Sequence, residues 1–491
     1  MSKEDEIVDL DTKAGLNEVE LIARNNQLID EDRNTFLPRP SNDPHDPLNW
    51  PSWIKFCILL QVCLLAALGT LNTAIINPAY GPLSEEFGIS KVRASYQTTI
   101  VIALNGVGPL IWTPLARVYG RRPIYLFTTL LGFASALGSA YAKNFGQLIG
   151  ARVFNGLFPA AMSLGPMTIV DLFFYHQRGR AMGLFTVILT TGAHVAPIIG
   201  GLVGQYLGWR WTFKLASIMD GVMFLVILFG LPETFYDRDL TNLAQTSQER
   251  EVAFSGKTYF RQLFSPPSRP EMKLKASDFV WPTIKMARYP SVIFPALYYA
   301  AQYGFASILP AVTVSAIFSE AYGWNTLEIG LAYGGALTVG GVLGEFFAGN
   351  VLDWLVKRAR HRLNGENPEP EARLAGIWTG AILVPASLLI YGFALQYRVF
   401  WFVALFGMGL GVFGLQPIGT TCYTYSIDCY RENGGDVASV FNFFRQAIGM
   451  TFAFYVVDLC KKIGYDIAFI LFAIWGSLLA FIPIMVLMWK A

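Results

Sequence analysis

The chain has 491 residues, 53% of them hydrophobic and 15% charged, with a formal net charge of +2 and a mean hydropathy of +0.41, a mix unlike that of soluble globular domains. At about 20 residues per spanning helix, roughly 260 apolar residues suffice for about twelve spans and leave little for a soluble core, which excludes a globular enzyme carried on one anchor. The basic residues are scattered, so no nucleic-acid footprint is present. Cys57, Cys63, Cys422, Cys429 and Cys460 lie in apolar segments without metal-ligand or disulfide-framework spacing. No phosphate-binding Gly-x-x-x-x-Gly-Lys-Ser/Thr loop, His-Glu-x-x-His, Cys-x-x-Cys or nucleophile elbow occurs. No metal, no cofactor and no enzymatic activity are therefore expected, and the absence of a phosphate loop argues against a primary ATP-driven pump.

The first 50 residues hold twelve acids against five bases and no apolar run, so residues 1–54 are expected to form a disordered cytosolic tail without a cleavable signal peptide. Apolar runs then fall at 55–79, 94–116, 122–142, 147–171, 181–206 and 211–231. Residues 232–288 are polar and rich in Lys and Arg, with a Ser-Pro-Pro-Ser turn at 265–268, and read as a cytosolic linker with room for one short amphipathic helix. Six further runs follow at 290–317, 325–352, 374–395, 399–427, 437–460 and 465–489. The predicted fold class is an all-α membrane protein of twelve transmembrane helices in two pseudo-symmetric six-helix bundles, 55–231 and 289–491. With a cytosolic N-terminus, the even-numbered connections carry Arg117, Arg121, Arg122, Arg178, Arg180, the linker cations, Lys357, Arg358, Arg360, Arg362, Arg373 and Arg431. The opposite connections carry fewer cations, so both termini are expected in the cytosol.

The connection after span 2 reads Thr113-Pro-Leu-Ala-Arg-Val-Tyr-Gly120-Arg121-Arg122-Pro123, and its counterpart after span 8 reads Gly349-Asn-Val-Leu-Asp353. Glycine, acid and arginine at a tight turn suit a latch whose charges pair with a neighbouring helix end in one conformation and separate in the other; ordinary positive-inside arginine is the plainer reading. Span 5 carries Gly183, Gly192, Ala196-Pro197 and Gly200-Gly201. Small residues on one face let helices approach closely, and Pro197 bends the helix by removing a hydrogen bond. Span 4 holds Arg152-Val-Phe-Asn155-Gly156; an intramembrane arginine is costly and a functional candidate, while snorkelling to the interface is its structural alternative.

These strings resemble the major facilitator superfamily over residues 50–490, whose loop 2–3 signature is similar to the Leu-Ala-…-Gly-Arg-Arg-Pro string, although Arg117 stands where that signature has an acid. In that family the acid faces the approach to helix 11, here Asp428-Cys-Tyr-Arg-Glu432-Asn-Gly-Gly-Asp436. The resemblance implies a charge swap in which Arg117 docks on Asp436, Glu432 or Asp428 in the outward-facing state. The span 5 pattern is similar to a motif associated with antiporters, with Ala196 in place of a glycine, and implies gating roles for Gly192, Pro197, Gly200 and Gly201. Arg152 matches the superfamily's helix-4 pattern, which implies proton coupling or gating.

Helices 1, 4, 7 and 10 line the central cavity of that fold, which makes Asn72, Asn77, Arg152, Tyr298, Tyr299, Gln302, Tyr303 and Gln416 the candidate substrate contacts. Glu345, a lone carboxylate among Gly340, Gly341, Gly344 and Phe346, is the candidate protonation site; pairing with Arg445 is the rival role. His194 reads as a packed histidine. The Asp46-Pro-Leu-Asn-Trp50-Pro, Leu231-Pro-Glu-Thr and Tyr425-Ser-Ile-Asp428-Cys-Tyr430 strings resemble fungal twelve-span drug:proton antiporters. The expectation is a proton-coupled antiporter exporting a small organic molecule from the plasma membrane, acting as a monomer whose partners are substrate, protons and lipid. The alternatives are a symporter importing an organic cation or acid, and residence in a vacuolar membrane. No carboxylate occupies the central thirds of spans 1, 4, 7 and 10, which favours neutral or anionic cargo, with Arg152 as a conceivable anion partner. An intramembrane enzyme would need a buried catalytic pair that the sequence does not display.

Overall fold

The computed structural model describes residues 46–236, 274–362, 370–430 and 433–490. Most of the predicted tail and of the predicted linker, and Glu432 of the predicted latch, lie outside the described residues. Twelve helices are long and apolar enough to cross a membrane: α1 Ser52–Phe87, α2 Lys91–Tyr119, α3 Arg121–Ala140, α4 Phe145–Leu172, α5 Gln177–Tyr206, α6 Trp209–Gly230, α7 Pro290–Ala321, α8 Thr326–Leu352, α9 Arg373–Gln396, α10 Trp401–Cys429, α11 Gly434–Ile463 and α12 Tyr465–Trp489. The helix of α8 continues to Arg362. Among the described residues every regular element is helical, as lipid demands of backbone groups with no water to bond to. A short helix, Ser277–Ala287, leads into α7 with Val280, Trp281 and Ile284 exposed and Met286 buried.

Local chemistry sets the helix ends. Ser90 accepts the Arg93 N–H at 3.1 Å and Asn144 accepts the Gln147 N–H at 2.8 Å, so side-chain oxygens cap α2 and α4. Gly120 joins α2 to α3 at φ 89°, a left-handed conformation costly for any residue with a Cβ. The first turn of α3 points its free N–H groups at Glu233, whose carboxylate accepts from Arg121 N at 3.0 Å and from Arg122 N at 3.2 Å. The Leu231-Pro-Glu-Thr string thus supplies the anion for a helix N-terminus.

Several spans break their helical regularity in mid-course. In α1 the α-helix ends at Ala74 and a 3-10 turn, Asn77–Ala79, carries the chain past Pro78, which has no N–H to give. In α7, Gly304–Ile308 is a π-helical segment, and Phe472–Leu478 of α12 is another. Within the first six spans, α1 packs on α5 and α4, and α3 on α6; within the last six, α9 packs on α10 and α12, and α7 on α11. Between the two sets the principal pairings are α5 with α8 and α2 with α11.

Replacing Glu233 by Ala strips two N–H groups of their acceptor beside two arginines. The expected loss is about 1–2 kcal/mol, read as a lower thermal midpoint of the detergent-purified protein, with Glu233→Gln losing less because its carbonyl oxygen still accepts.

Candidate functional site

On the side of the membrane that carries the linker, each arginine of the α2–α3 turn has a different job. Arg121 forms an ion pair with Asp171 of α4 and donates to Met167 O at 2.7 Å. Arg122 donates to Leu228 O of α6 at 2.8 Å. Arg117 reaches across to the other six-helix set, its Nη2 lying 3.7 Å from Asp436 Oδ1 at the start of α11. Of the three acids offered to Arg117, Asp428 is taken by Arg373 at 3.0 Å because both sit at the α9–α10 edge, and Glu432 lies outside the described residues. The side chain of Asp353 also lies outside them. At the opposite end, Lys91 Nζ of α2 donates to Ser319 Oγ of α7 at 2.7 Å, so the two sets touch at both ends.

The span 5 motif divides its residues between two neighbours. A Cβ on Gly192 would stand 2.6 Å from Ala67 O, and one on Gly200 would overlap the Ile75 carbonyl; both glycines seat α5 on α1. Gly201 faces the other way, where a Cβ would stand 2.8 Å from Gly330 Cα of α8. Reciprocally, a Cβ on Gly330 would stand 2.5 Å from Pro197 O. The His194 ring packs over Gly341 of α8, as a packed histidine would. Gly330, Gly334 and Gly341 thus form the receiving face; sequence reading passed over the first two, although their spacing along one helix face was visible.

A buried polar network holds the first six spans together. Arg152 is 1% exposed, so it does not snorkel. Its Nη1 donates to Asn72 O at 2.9 Å and to Asn155 Oδ1 at 2.8 Å, and its Nη2 donates to Thr73 O at 3.3 Å. The guanidinium also lies 5.2 Å from the Phe213 ring centroid. The carbonyls it takes are those freed where α1 breaks, so Arg152 serves as a C-cap built from another helix. Asn72 Nδ2 in turn donates to Asp220 Oδ2 of α6 at 2.8 Å. Asn72, Asn155 and Asp220 line one pocket with Tyr125, Thr128 and Gly132, enclosed by α1, α3, α4 and α6. Asp220 was legible only as a polar residue within a span; its partner is a fold property. Asn77 Oδ1 accepts from the Tyr80 hydroxyl at 2.8 Å and from Thr98 Oγ1 at 3.3 Å.

The last six spans divide their candidates by helix face. Tyr298 and Gln302, four residues apart on α7, point toward α12: Tyr298 packs on Phe481 at 5.4 Å, while Gln302 donates to Gly476 O at 3.0 Å and accepts from Ser477 Oγ at 2.5 Å. At 1% and 0% exposure both side chains are buried against α12. Tyr299 and Tyr303 lie on the other face with Tyr423 of α10 and Phe441 of α11. Gln416 of α10 lies against Gly344 of α8. Glu345 is half-buried and its Oε2 is enclosed without a hydrogen-bond partner. Pairing with Arg445 is not formed; Arg445 donates to Asn442 Oδ1 at 2.8 Å and lies over Tyr303.

This arrangement, two six-helix sets meeting along two helix pairs with polar residues between them, is that of a carrier. The chain matches the Major Facilitator Superfamily over residues 62–454 and belongs to that family. It is 28% identical over 410 residues, 83% of this chain and 79% of the relative, to the MFS-type transporter penM of Penicillium rubens. It is 27% identical to the efflux pump radE of Floropilus chiversii, covering 90% of this chain and 80% of that protein. It is likewise 27% identical to the cycloheximide resistance protein of Candida maltosa, covering 87% and 77%. The fold is similar to that of a bacterial homologue of the human lysosomal transporter Spinster, solved inward-facing and unoccupied, with a TM-score of 0.61 at 14% identity over 88% of this chain and 98% of that one. The protein is a multi-pass membrane transporter of the major facilitator fold.

Gly201→Leu and Gly192→Leu separate the two faces of α5. The first is expected to leave a folded, monodisperse protein with transport reduced at least about tenfold, because the contact between the two sets cannot close; the second is expected to lower the yield of folded protein. Size-exclusion profiles and flux of the two variants check this.

Proposed function

We propose that this protein is a proton-coupled antiporter that exports a small organic molecule across the plasma membrane, with both termini in the cytosol. The observation that carries the reading is a pair of carboxyl groups enclosed within the spans without a cation partner, Glu345 with a free Oε2 and Asp220 bonded to Asn72 alone among the described hydrogen bonds. Such groups inside a membrane mark ion pathways by default. Relatives named as an efflux pump and a cycloheximide resistance protein support the outward direction, and the positive-inside bias supports the orientation. Residues 55–231 rock against 289–491 around a midplane site, each set moving as a bundle about the Gly201–Gly330 contact.

Arg152 links coupling to movement. A proton arriving on Asp220 changes what Asp220 offers to Asn72, and Arg152 holds the Asn72 carbonyl at the break in α1. Protonation is therefore felt where α1 bends. Arg117 and Asp436 form the latch between the two sets, a swapped-sign version of the family's device. Substrate contacts on this reading are Tyr299, Tyr303 and Gln416.

In proteoliposomes of purified protein, an imposed proton gradient is expected to drive cargo opposite to protons, with Glu345→Gln or Asp220→Asn abolishing the coupling. Cargo and protons moving together would instead establish a symporter. For the latch, Arg117→Asp is expected to slow turnover about threefold, and Asp436→Arg in the same protein to restore it; an untouched rate in the single variant would remove the latch.

A further inference from the structure

Among the described residues, the C-terminal six spans hold an arginine with no ion pair to a carboxylate. Arg445 of α11 lays its guanidinium 4.7 Å from the centroid of Tyr303, donates from Nη2 to Asn442 Oδ1 at 2.8 Å and hydrogen-bonds the Tyr299 side chain. Its Nε is buried without a partner, and the groups that bear on its charge are the phenols of Tyr299, Tyr303 and Tyr423. Around it the rings form a continuous wall: Tyr299 meets Tyr423 at 5.5 Å, and Tyr423 meets Phe441 at 4.4 Å.

Arg152 provides the contrast. Its Nε is likewise buried without a partner, but both of its Nη atoms are engaged by three acceptors at the α1 break, so it offers a ligand no free pair of Nη donors. Arg445 keeps most of its five donors, and it stands at the seam between the two sets, since Asn442 Nδ2 donates to Asn105 O of α2 at 2.9 Å. A planar guanidinium flanked by aromatic faces is shaped for a carboxylate on a flat organic body: two parallel N–H bonds to the carboxylate and ring stacking for the rest.

We propose that Arg445 is the anion-binding residue of the central site, and that the cargo is an aromatic organic acid whose carboxylate docks on the guanidinium while its ring lies among Tyr299, Tyr303, Tyr423 and Phe441. The assignment rests on the transport reading above and adds its substrate class. It also gives loading a structural consequence. An incoming carboxylate competes with Asn442 Oδ1 for Nη2, and the released Asn442 is the residue that bonds α11 to the Asn105 carbonyl of α2. Cargo binding thus acts on a hydrogen bond across the seam.

The test is equilibrium binding to the full-length purified protein in nanodiscs, without a proton gradient, using benzoate, 1-naphthoate and indole-3-acetate, each beside its neutral amide. The wild type is expected to bind at least one acid about tenfold or more tighter than its amide. Arg445→Gln is expected to erase that preference while the amide affinity stays within about twofold. If the Gln variant does not fold, Arg445→Lys carries the test, since a point charge in place of a planar fork lowers acid affinity about threefold or more and leaves the amide unchanged. Equal binding of acid and amide, no binding of any acid, or an acid preference that survives the substitution would each overturn the assignment. Acid binding that depends on Arg445 in a protein that shows no proton-driven exchange would sink the antiport reading and leave this site standing.

Discussion

Backbone contact along α5 is the constraint on which the rest of the molecule depends. Lipid tails are as apolar as leucine, so burial gives two spanning helices little reason to associate, and close van der Waals approach must do that work. α5 achieves it on two faces, with Gly192 and Gly200 against α1 and Gly201 against Gly330 of α8. One helix thereby fixes α1 within its own set and meets the other set over bare backbone at Gly201 and Gly330, with His194 and Ile198 seated over Gly341 and Gly334 of α8. A contact in which one helix presents glycine has few side chains to interdigitate, which suits a contact between moving bodies. The polar contacts that cross the seam among the described residues include Lys91 with Ser319, Ser315 with the Pro78 carbonyl, Asn442 with Asn105 and Arg117 with Asp436, and they lie at different depths.

The two sets solve the same problem of a broken helix by different chemistry. In the first, the α1 break frees carbonyls, and a buried arginine takes them. In the second, α7 departs from α geometry at Gly304–Ile308, and a neutral amide, Gln302, ties the adjoining turn to the irregular stretch of α12. A cation is costly to bury unless its donors are met. The first set meets that cost with protein acceptors, whereas the second leaves Arg445 among phenols. The pseudo-symmetry of the fold therefore does not extend to its charges, and the asymmetry places the available cation on one side of the seam.

Hydropathy runs are one-dimensional, so the twelve spans and their repeat could be read from the sequence, as could the small-residue face of α5. What could not be read was which neighbour each glycine meets, because that depends on how helices distant in sequence are arranged. Arg152 shows the same limit: its acceptors are main-chain carbonyls that exist only because α1 breaks, and no side-chain motif advertises them. Tyr298 and Gln302 were a different matter. The positions 298 and 302, and separately 299 and 303, are four apart and so share a face; that division is present in the string, whereas the helix each face meets is not. Asp428 and Asp436 were indistinguishable as partners for Arg117 until α9 brought Arg373 to the first of them.

The weakness of the Arg117–Asp436 contact is itself informative. At 3.7 Å, with the arginine side chain 49% exposed, such a pair contributes at most about 1 kcal/mol, a bias of roughly fivefold between two conformations. On the proposed reading this pair is a latch that a transport cycle breaks at every turnover, and a strong buried pair there would trap one state. Arg121 and Asp171, by contrast, lie within one set, are largely enclosed, and need never separate. Position relative to the seam thus sorts the arginines of this turn: Arg121 and Arg122, which brace one set, are buried and half-buried and bonded within it, and the one that spans two sets is solvated and loosely held. Reversing its sign relative to the family pattern leaves that logic intact, because a screened pair at the rim depends on opposite charge across the seam and not on which side carries the acid.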